Sequence, residues 1–182
     1  MLPLPLTQLD TTLTSFINVL IPHNAFFNSV FAFLSISNRD FPLWIAIAVV
    51  LFLMEEKHNK KFFLYFLVAF STTFLLVNIV MKNVVQRARP AVPITSTYHC
   101  PKDYSFPSTH AASAFATATI LAAFDPKRRA YYFIFAGLVA LSRIYLYCHF
   151  FLDVLAGGAI GTAISYLTLW GAHRFHTDKK GD

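Results

Sequence analysis

Three groups of polar residues combine side chains suited to handling an anion with surroundings that do not favour polarity. The first is Lys82, Arg87, Arg89 and Pro90; the second is Pro107, Ser108, Thr109 and His110; the third is Ser142, Arg143, His149 and Asp153. Each borders or interrupts a long apolar stretch, where an ionisable side chain is costly and is a functional candidate by default. Lys82, Arg89 and Arg143 supply fixed positive charges suited to phosphoryl oxygens. Ser108 and the backbone N–H groups of a helix start around Thr109 add neutral donors to the same anion. His149 and Asp153 are four residues apart, so on a helix they share a face and the carboxylate can fix the imidazole tautomer. An imidazole held in this way can act as a nucleophile. His110 is a second histidine, able to protonate a leaving oxygen.

The elements that must position these groups follow from hydropathy. Of the 182 residues, 56% are hydrophobic, twenty are Phe and only 13% are charged. A soluble domain carries about 25% charge, so this inventory cannot clothe a water-facing surface. Six Gly and two Cys also exclude a collagen-like repeat and a disulfide scaffold. The formal charge of +6 is split between apolar runs, which points to a membrane as partner and away from nucleic acid.

A helix crossing a hydrocarbon core of about 30 Å needs roughly 20 mostly apolar residues. Residues 62–81 meet that length without a charge, 131–150 do so interrupted by Arg143, and 151–172 do so with Asp153 near the start. Residues 107–124 are shorter and Ala-rich, opening on a Pro that a helix start tolerates. Residues 41–54 reach spanning length if Glu55 and Glu56 extend to the headgroups. Residues 13–36 are broken by Pro22, His23, Asn24 and Asn28, and read either as one crossing or as an interfacial helix with a partial span. Read as one crossing, they complete an all-α integral membrane bundle of about six spans. That is a single membrane-embedded domain over 1–182, with 1–36 as the N-terminal interfacial or first spanning segment and 82–153 carrying the motifs.

Alternating connections place Lys57, Lys60, Lys61, Lys127, Arg128, Arg129, Arg174, Lys179 and Lys180 on one side, and Arg39, Lys82, Arg87, Arg89, Lys102 and Arg143 on the other. Short basic loops stay in the cytoplasm. Both termini are therefore expected inside, with the loop 82–106 and all three polar groups on the outer face. No basic segment leads into a small-residue cleavage site, so no cleavable signal peptide is expected.

In order, the groups read Lys82-x6-Arg89-Pro90, Pro107-Ser108-Thr109-His110 and Ser142-Arg143-x5-His149-x3-Asp153. This resembles the three-part signature of the type 2 phosphatidic acid phosphatase superfamily, which also includes vanadium haloperoxidases and glucose-6-phosphatase. Thr109 departs from the pattern, standing where the family usually has Gly, and its Cβ can crowd the phosphate. The resemblance implies metal-free hydrolysis without a cofactor, through a phosphohistidine. In that scheme His149 attacks phosphorus with Asp153 as partner, and His110 protonates the leaving oxygen and then activates water. Lys82, Arg89, Ser108, Thr109 and Arg143 hold the phosphoryl oxygens. The implied partner is a lipid phosphate within the bilayer of a bacterial inner membrane. Compact bacterial relatives act on lipid A 1-phosphate, undecaprenyl diphosphate or phosphatidylglycerol phosphate, the first two ranking ahead of the third. Other classes are an anion transporter or channel lined by Lys82, Arg89 and Arg143, and a non-catalytic lipid-phosphate-binding protein.

The remaining polar residues take simpler readings. His23, His58, His99, His173 and His176 are loop or interface residues, Arg87 anchors at headgroups, and Lys102 and Tyr104 face solvent or a head group. Gly157, Gly158 and Gly161 offer a small-residue face for close helix packing. Cys100 and Cys148 either form a disulfide tying the outward loop near His149, or join His99 and His149 in a zinc site that competes with the nucleophile. Oligomeric state has no signature in the chain.

Overall fold

The computed structural model describes residues 4–35, 60–91 and 100–178. The segment 41–54, with His58 and His99, lies outside them. Among the described residues every regular element is helical: α1 (Leu4–Leu20), α2 (Ala25–Leu34), α3 (Lys60–Leu75), α4 (Thr109–Phe124), α5 (Arg129–Tyr145) and α6 (Phe151–Asp178). Among the described residues, two stretches, Lys61–Val85 and Phe151–His173, are long and apolar enough to cross a membrane.

α4 is the central helix. Its run of Ala, Thr and Ile is apolar on all sides, the pattern of a helix surrounded by others, and residues from Ala111 to Leu121 are almost all buried. It packs chiefly on α6, and also on α5 and α3. The α4–α6 contact is close because α6 presents Gly157 and Gly161. A Cβ at Gly161 would collide with the Ala112 carbonyl, and one at Gly157 with the Ser108 carbonyl. The predicted small-residue face is therefore real, and it sets the start of α4 directly against α6. Phe62, Phe66 and Phe70 pack inward from α3, while Phe63, Leu64, Leu67 and Phe74 point outward, as a lipid-facing helix requires.

α3 runs on through a π-helical segment (Leu76–Met81) into a last turn (Lys82–Val85). A π turn holds an extra residue and rotates the face presented beyond it. Lys82 is buried here, while its neighbours Asn83, Val84 and Val85 are exposed. Gln86 then takes a left-handed conformation (φ 49°) that ends the helix.

Residues 13–36 do not form one helix. α1 stops at Leu20, Pro22 follows, and the Asn24 side chain caps α2 by accepting from the Phe27 N–H at 3.0 Å. The stretch is thus divided into two helices at residues 21–24. α1 is amphipathic in an inverted sense: Asp10, Thr14 and Asn18 are buried, whereas Leu4, Leu9, Phe16, Val19 and Leu20 are exposed. α5 is also shorter than its predicted span and ends at Tyr145. Residues 146–150 form a loop, with Tyr147 at positive φ (57°).

Candidate active site

The three motifs, distant in sequence, meet at one end of the bundle. Lys82 arrives on the last turn of α3, Arg87 and Arg89 on the irregular segment after it, and Ser108 at the start of α4. His149 lies in the α5–α6 loop and Asp153 in the first turn of α6. The Ser108 N–H donates to the Asp153 carbonyl at 3.0 Å, and the Ser105 N–H to the Arg87 carbonyl at 2.7 Å, so backbone bonds lock the motifs together.

His149 and Asp153 do not share a helix, contrary to the sequence expectation, because α6 begins only at Phe151. The pair forms across the loop–helix junction instead, with Nδ1 3.6 Å from Asp153 Oδ2. On the other edge of the ring, Nε2 lies 3.0 Å from an Arg89 guanidinium nitrogen. Guanidinium only donates, so Nε2 is the unprotonated acceptor and Nδ1 carries the proton that faces Asp153. The same carboxylate accepts from Ser105 Oγ at 2.5 Å, from the Phe150 N–H at 2.9 Å and from Arg87 at 2.6 Å. The loop holding His149 lies beyond the ends of α5 and α6. Burial above all, then the charges of Arg143 and Arg89, push its imidazole well below the ordinary histidine range. The neutral, nucleophilic form is the one favoured.

The cationic side is built differently. Arg89 donates to the Asp103 carbonyl at 2.9 Å and to the Cys148 carbonyl at 2.7 Å, which fixes its plane beside His149. Its remaining arm pairs with Asp103 Oδ1 at 2.6 Å, and Lys82 pairs with the other oxygen of the same carboxylate. Asp103 thus holds two of the cations that the sequence assigned to an anion. Its burial opposes ionisation, but the hydrogen bonds and charges of Lys82 and Arg89 outweigh this and hold the carboxyl below its usual range. Among the described residues Ser108 Oγ has no hydrogen-bond partner and is buried, an orphan donor at the start of α4 that an anion would satisfy.

Arg143 is fully buried, and one arm donates to the Ser35 carbonyl at 3.0 Å and to Ser35 Oγ. Its charge, like those of Lys82 and His110, still reaches His149. The Thr109 hydroxyl donates to Asn78 Oδ1 at 2.9 Å, onto the π-helical segment of α3.

Two sequence readings need correction. Arg87 is no headgroup anchor: it bridges Asp153 and Asp10, each at 2.6 Å, with its guanidinium 4.1 Å from the Phe150 ring centroid. The zinc alternative loses its thiolates, because Cys100 and Cys148 form a disulfide with Cα atoms 5.4 Å apart. Sequence reasoning also missed Asp10, Asp103 and Ser105. Asp10 carried a usable signal, as the only charge in the apolar stretch that becomes α1. Ser105 and Asp103 carried none, since only the loop fold brings them in.

Residues 61–176 match the PAP2 superfamily model. The chain belongs to the PAP2 superfamily. Among curated proteins, it is 33% identical over 146 residues to the undecaprenyl-diphosphatase of Sulfolobus acidocaldarius, covering 78% of this chain and 69% of that protein. It is 30% identical over 138 residues to phosphatidylglycerophosphatase B of Bacillus subtilis, covering 69% and 64%. Among solved structures, the transmembrane PAP2-type phosphatidylglycerolphosphate phosphatase of Bacillus subtilis superposes with a TM-score of 0.69 at 26% identity, covering 94% of this chain and 88% of that one. Aquifex aeolicus LpxE shares the fold, with a TM-score of 0.68 at 24% identity over 88% and 94% of the two chains. The PAP2 relatives are hydrolases of phosphoric esters and diphosphates, and this chain is a membrane phosphatase of that family.

Proposed function

We propose that this PAP2 chain removes phosphate from the head group of a membrane lipid, at the outer face of the membrane and through a phosphohistidine. The observation that carries this reading is the His149 ring itself, with Nε2 turned to Arg89 and Nδ1 turned to Asp153. As Arg89 turns its N–H from Nε2 to a phosphoryl oxygen, the freed Nε2 lone pair forms a bond to phosphorus while the phosphorus–oxygen bond of the lipid breaks, and His110 gives its proton to the departing oxygen. Water then attacks the phosphorus, its proton passes to His110, and the nitrogen–phosphorus bond breaks to free phosphate. Lys82, Arg89 and Arg143, with Ser108 and the N–H groups around Thr109, neutralise the phosphoryl oxygens. Positioning and charge of this kind supply most of the catalysis in phosphoryl transfer, with no metal required.

A site at the end of a bundle admits a head group while the acyl or prenyl chain stays in lipid. The names of the two curated relatives favour undecaprenyl diphosphate and phosphatidylglycerol phosphate; lipid A 1-phosphate completes the panel. The outer face is supported by the Cys100–Cys148 disulfide, since such bonds persist in oxidising compartments. The test is phosphate release from these three lipids in detergent, with and without a chelator. Acid-labile, alkali-stable phosphoenzyme should form and be absent from His149→Ala. Turnover that a chelator abolishes, or that His149→Ala retains, overturns the reading.

A further inference from the structure

α1 lies outside the residues that match the family model, yet one of its side chains reaches the chemistry. Its buried stripe is Asp10, Thr14 and Asn18, spaced by four so that all three face the same way. The stripe lands on the α5–α6 junction. Asn18 donates to the Ile144 carbonyl at 3.1 Å, Thr14 Oγ1 accepts from the Phe151 N–H at 2.9 Å, and Asp10 Oδ1 accepts from the Leu152 N–H at 2.8 Å. Two of these bonds satisfy orphan N–H groups at the start of α6, a capping role supplied by another helix.

Asp10 does more than cap. Its second oxygen accepts from one arm of Arg87 at 2.6 Å, and the other arm of Arg87 donates to Asp153 at 2.6 Å. One guanidinium is therefore shared between two fully buried carboxylates. Without Asp10, Arg87 would devote its whole charge to Asp153, drawing that carboxylate away from His149 and cancelling it. With Asp10, the cluster of Asp10, Arg87 and Asp153 keeps one net negative charge beside an imidazole that turns cationic when it is phosphorylated. We infer that Asp10 is a positioning residue for the nucleophile, acting through Arg87 on Asp153 and so on His149. This rests on the proposed role of His149.

The test uses the full chain in detergent. Asp10→Asn keeps an oxygen for the Leu152 N–H and removes the charge. Its kcat should fall by about 10- to 100-fold, the loss typical when a partner supporting a reacting ligand is removed, with KM unchanged. Asp10→Glu should recover part of that loss. Thr14→Val removes the neighbouring cap without touching the ions, and should keep its kcat. In an Arg87→Gln background, Asp10→Asn should cost nothing further. A wild-type kcat for Asp10→Asn, an equal loss for Thr14→Val, or an undiminished loss in the Arg87→Gln background overturns the inference. If Asp10→Asn alone does not fold, the pair Asp10→Asn/Arg87→Gln takes its place, burying one unmatched carboxylate where Arg87→Gln buries two. Its kcat against Arg87→Gln then decides the matter: equality supports the coupling and a further drop overturns it. Wild-type turnover without phosphoenzyme would instead overturn the reading of His149, and is seen separately in the same assay.

Discussion

The two halves of the site differ in how they are held. On the nucleophile side, His149, Asp153, Ser105 and Asp10 are all buried and tied into one network through Arg87. On the cradle side, Lys82 and Arg89 converge on Asp103, whose side chain is 43% exposed. The first half must stay in place through every turnover, and burial makes each of its bonds expensive to leave unmade. The second must exchange one anion for another, and a carboxylate open to solvent can leave at modest cost. In the proposed reaction, rigidity is concentrated where the covalent bond is made, and exchange where the substrate charge is received.

Breaking the buried half should have the largest consequence. His149→Ala is expected to lower kcat by at least about a thousand-fold, since losing a nucleophile removes the catalytic unit as a whole; initial rates of phosphate release measure it. Arg87→Ala should come next. It leaves Asp10 and Asp153 buried without their shared cation, at a cost of about 3–5 kcal/mol, read as a lower melting temperature in detergent alongside lost activity.

The open half should respond in the opposite direction. Asp103→Asn removes an internal competitor for Lys82 and Arg89, so inhibition by inorganic phosphate or vanadate should tighten by a few-fold, on the order of 1 kcal/mol for an ion pair whose carboxylate is open to solvent. Weaker inhibition would mean that Asp103 shapes the cradle and does not merely fill it. The smallest effect concerns pH. The His149 imidazole sits well below the usual histidine range, so its neutral form persists as pH falls through that range. The acidic limb of kcat/KM, which reports the free enzyme, should lie lower than a free histidine would give. Asp103, held below the usual carboxylate range, contributes its pairing above that range and loses it as pH falls further.

What could be read from the chain beforehand follows the same division. Spacing and residue type were enough to single out Lys82, Arg89, Ser108, His149 and Asp153, which the fold brings to one end of the bundle, because polar groups at membrane depth are rare. They were also enough for Gly157 and Gly161, whose four-residue interval is a packing pattern. Arg87 was misjudged because nothing local distinguishes a headgroup anchor from a bridge between two carboxylates. Its partners lie 66 and 77 residues away. Asp103 and Ser105 enter through a loop whose path depends on the Arg87–Ser105 backbone bond and on the disulfide. The α5 boundary shifted for a related reason: residues 146–150 are apolar enough to continue a span, but the chain turns at Tyr147 to present His149.

The Cys100–Cys148 bond gives the molecule a built-in sense of place. It joins the residue before His149 to the start of the loop that delivers Asp103 and Ser105. Until that bond closes, receiver and attacker hang from separate tethers. On the proposed outward orientation, an oxidant at that face closes this bond, which would make delivery across the membrane a step in maturation as well as in sorting.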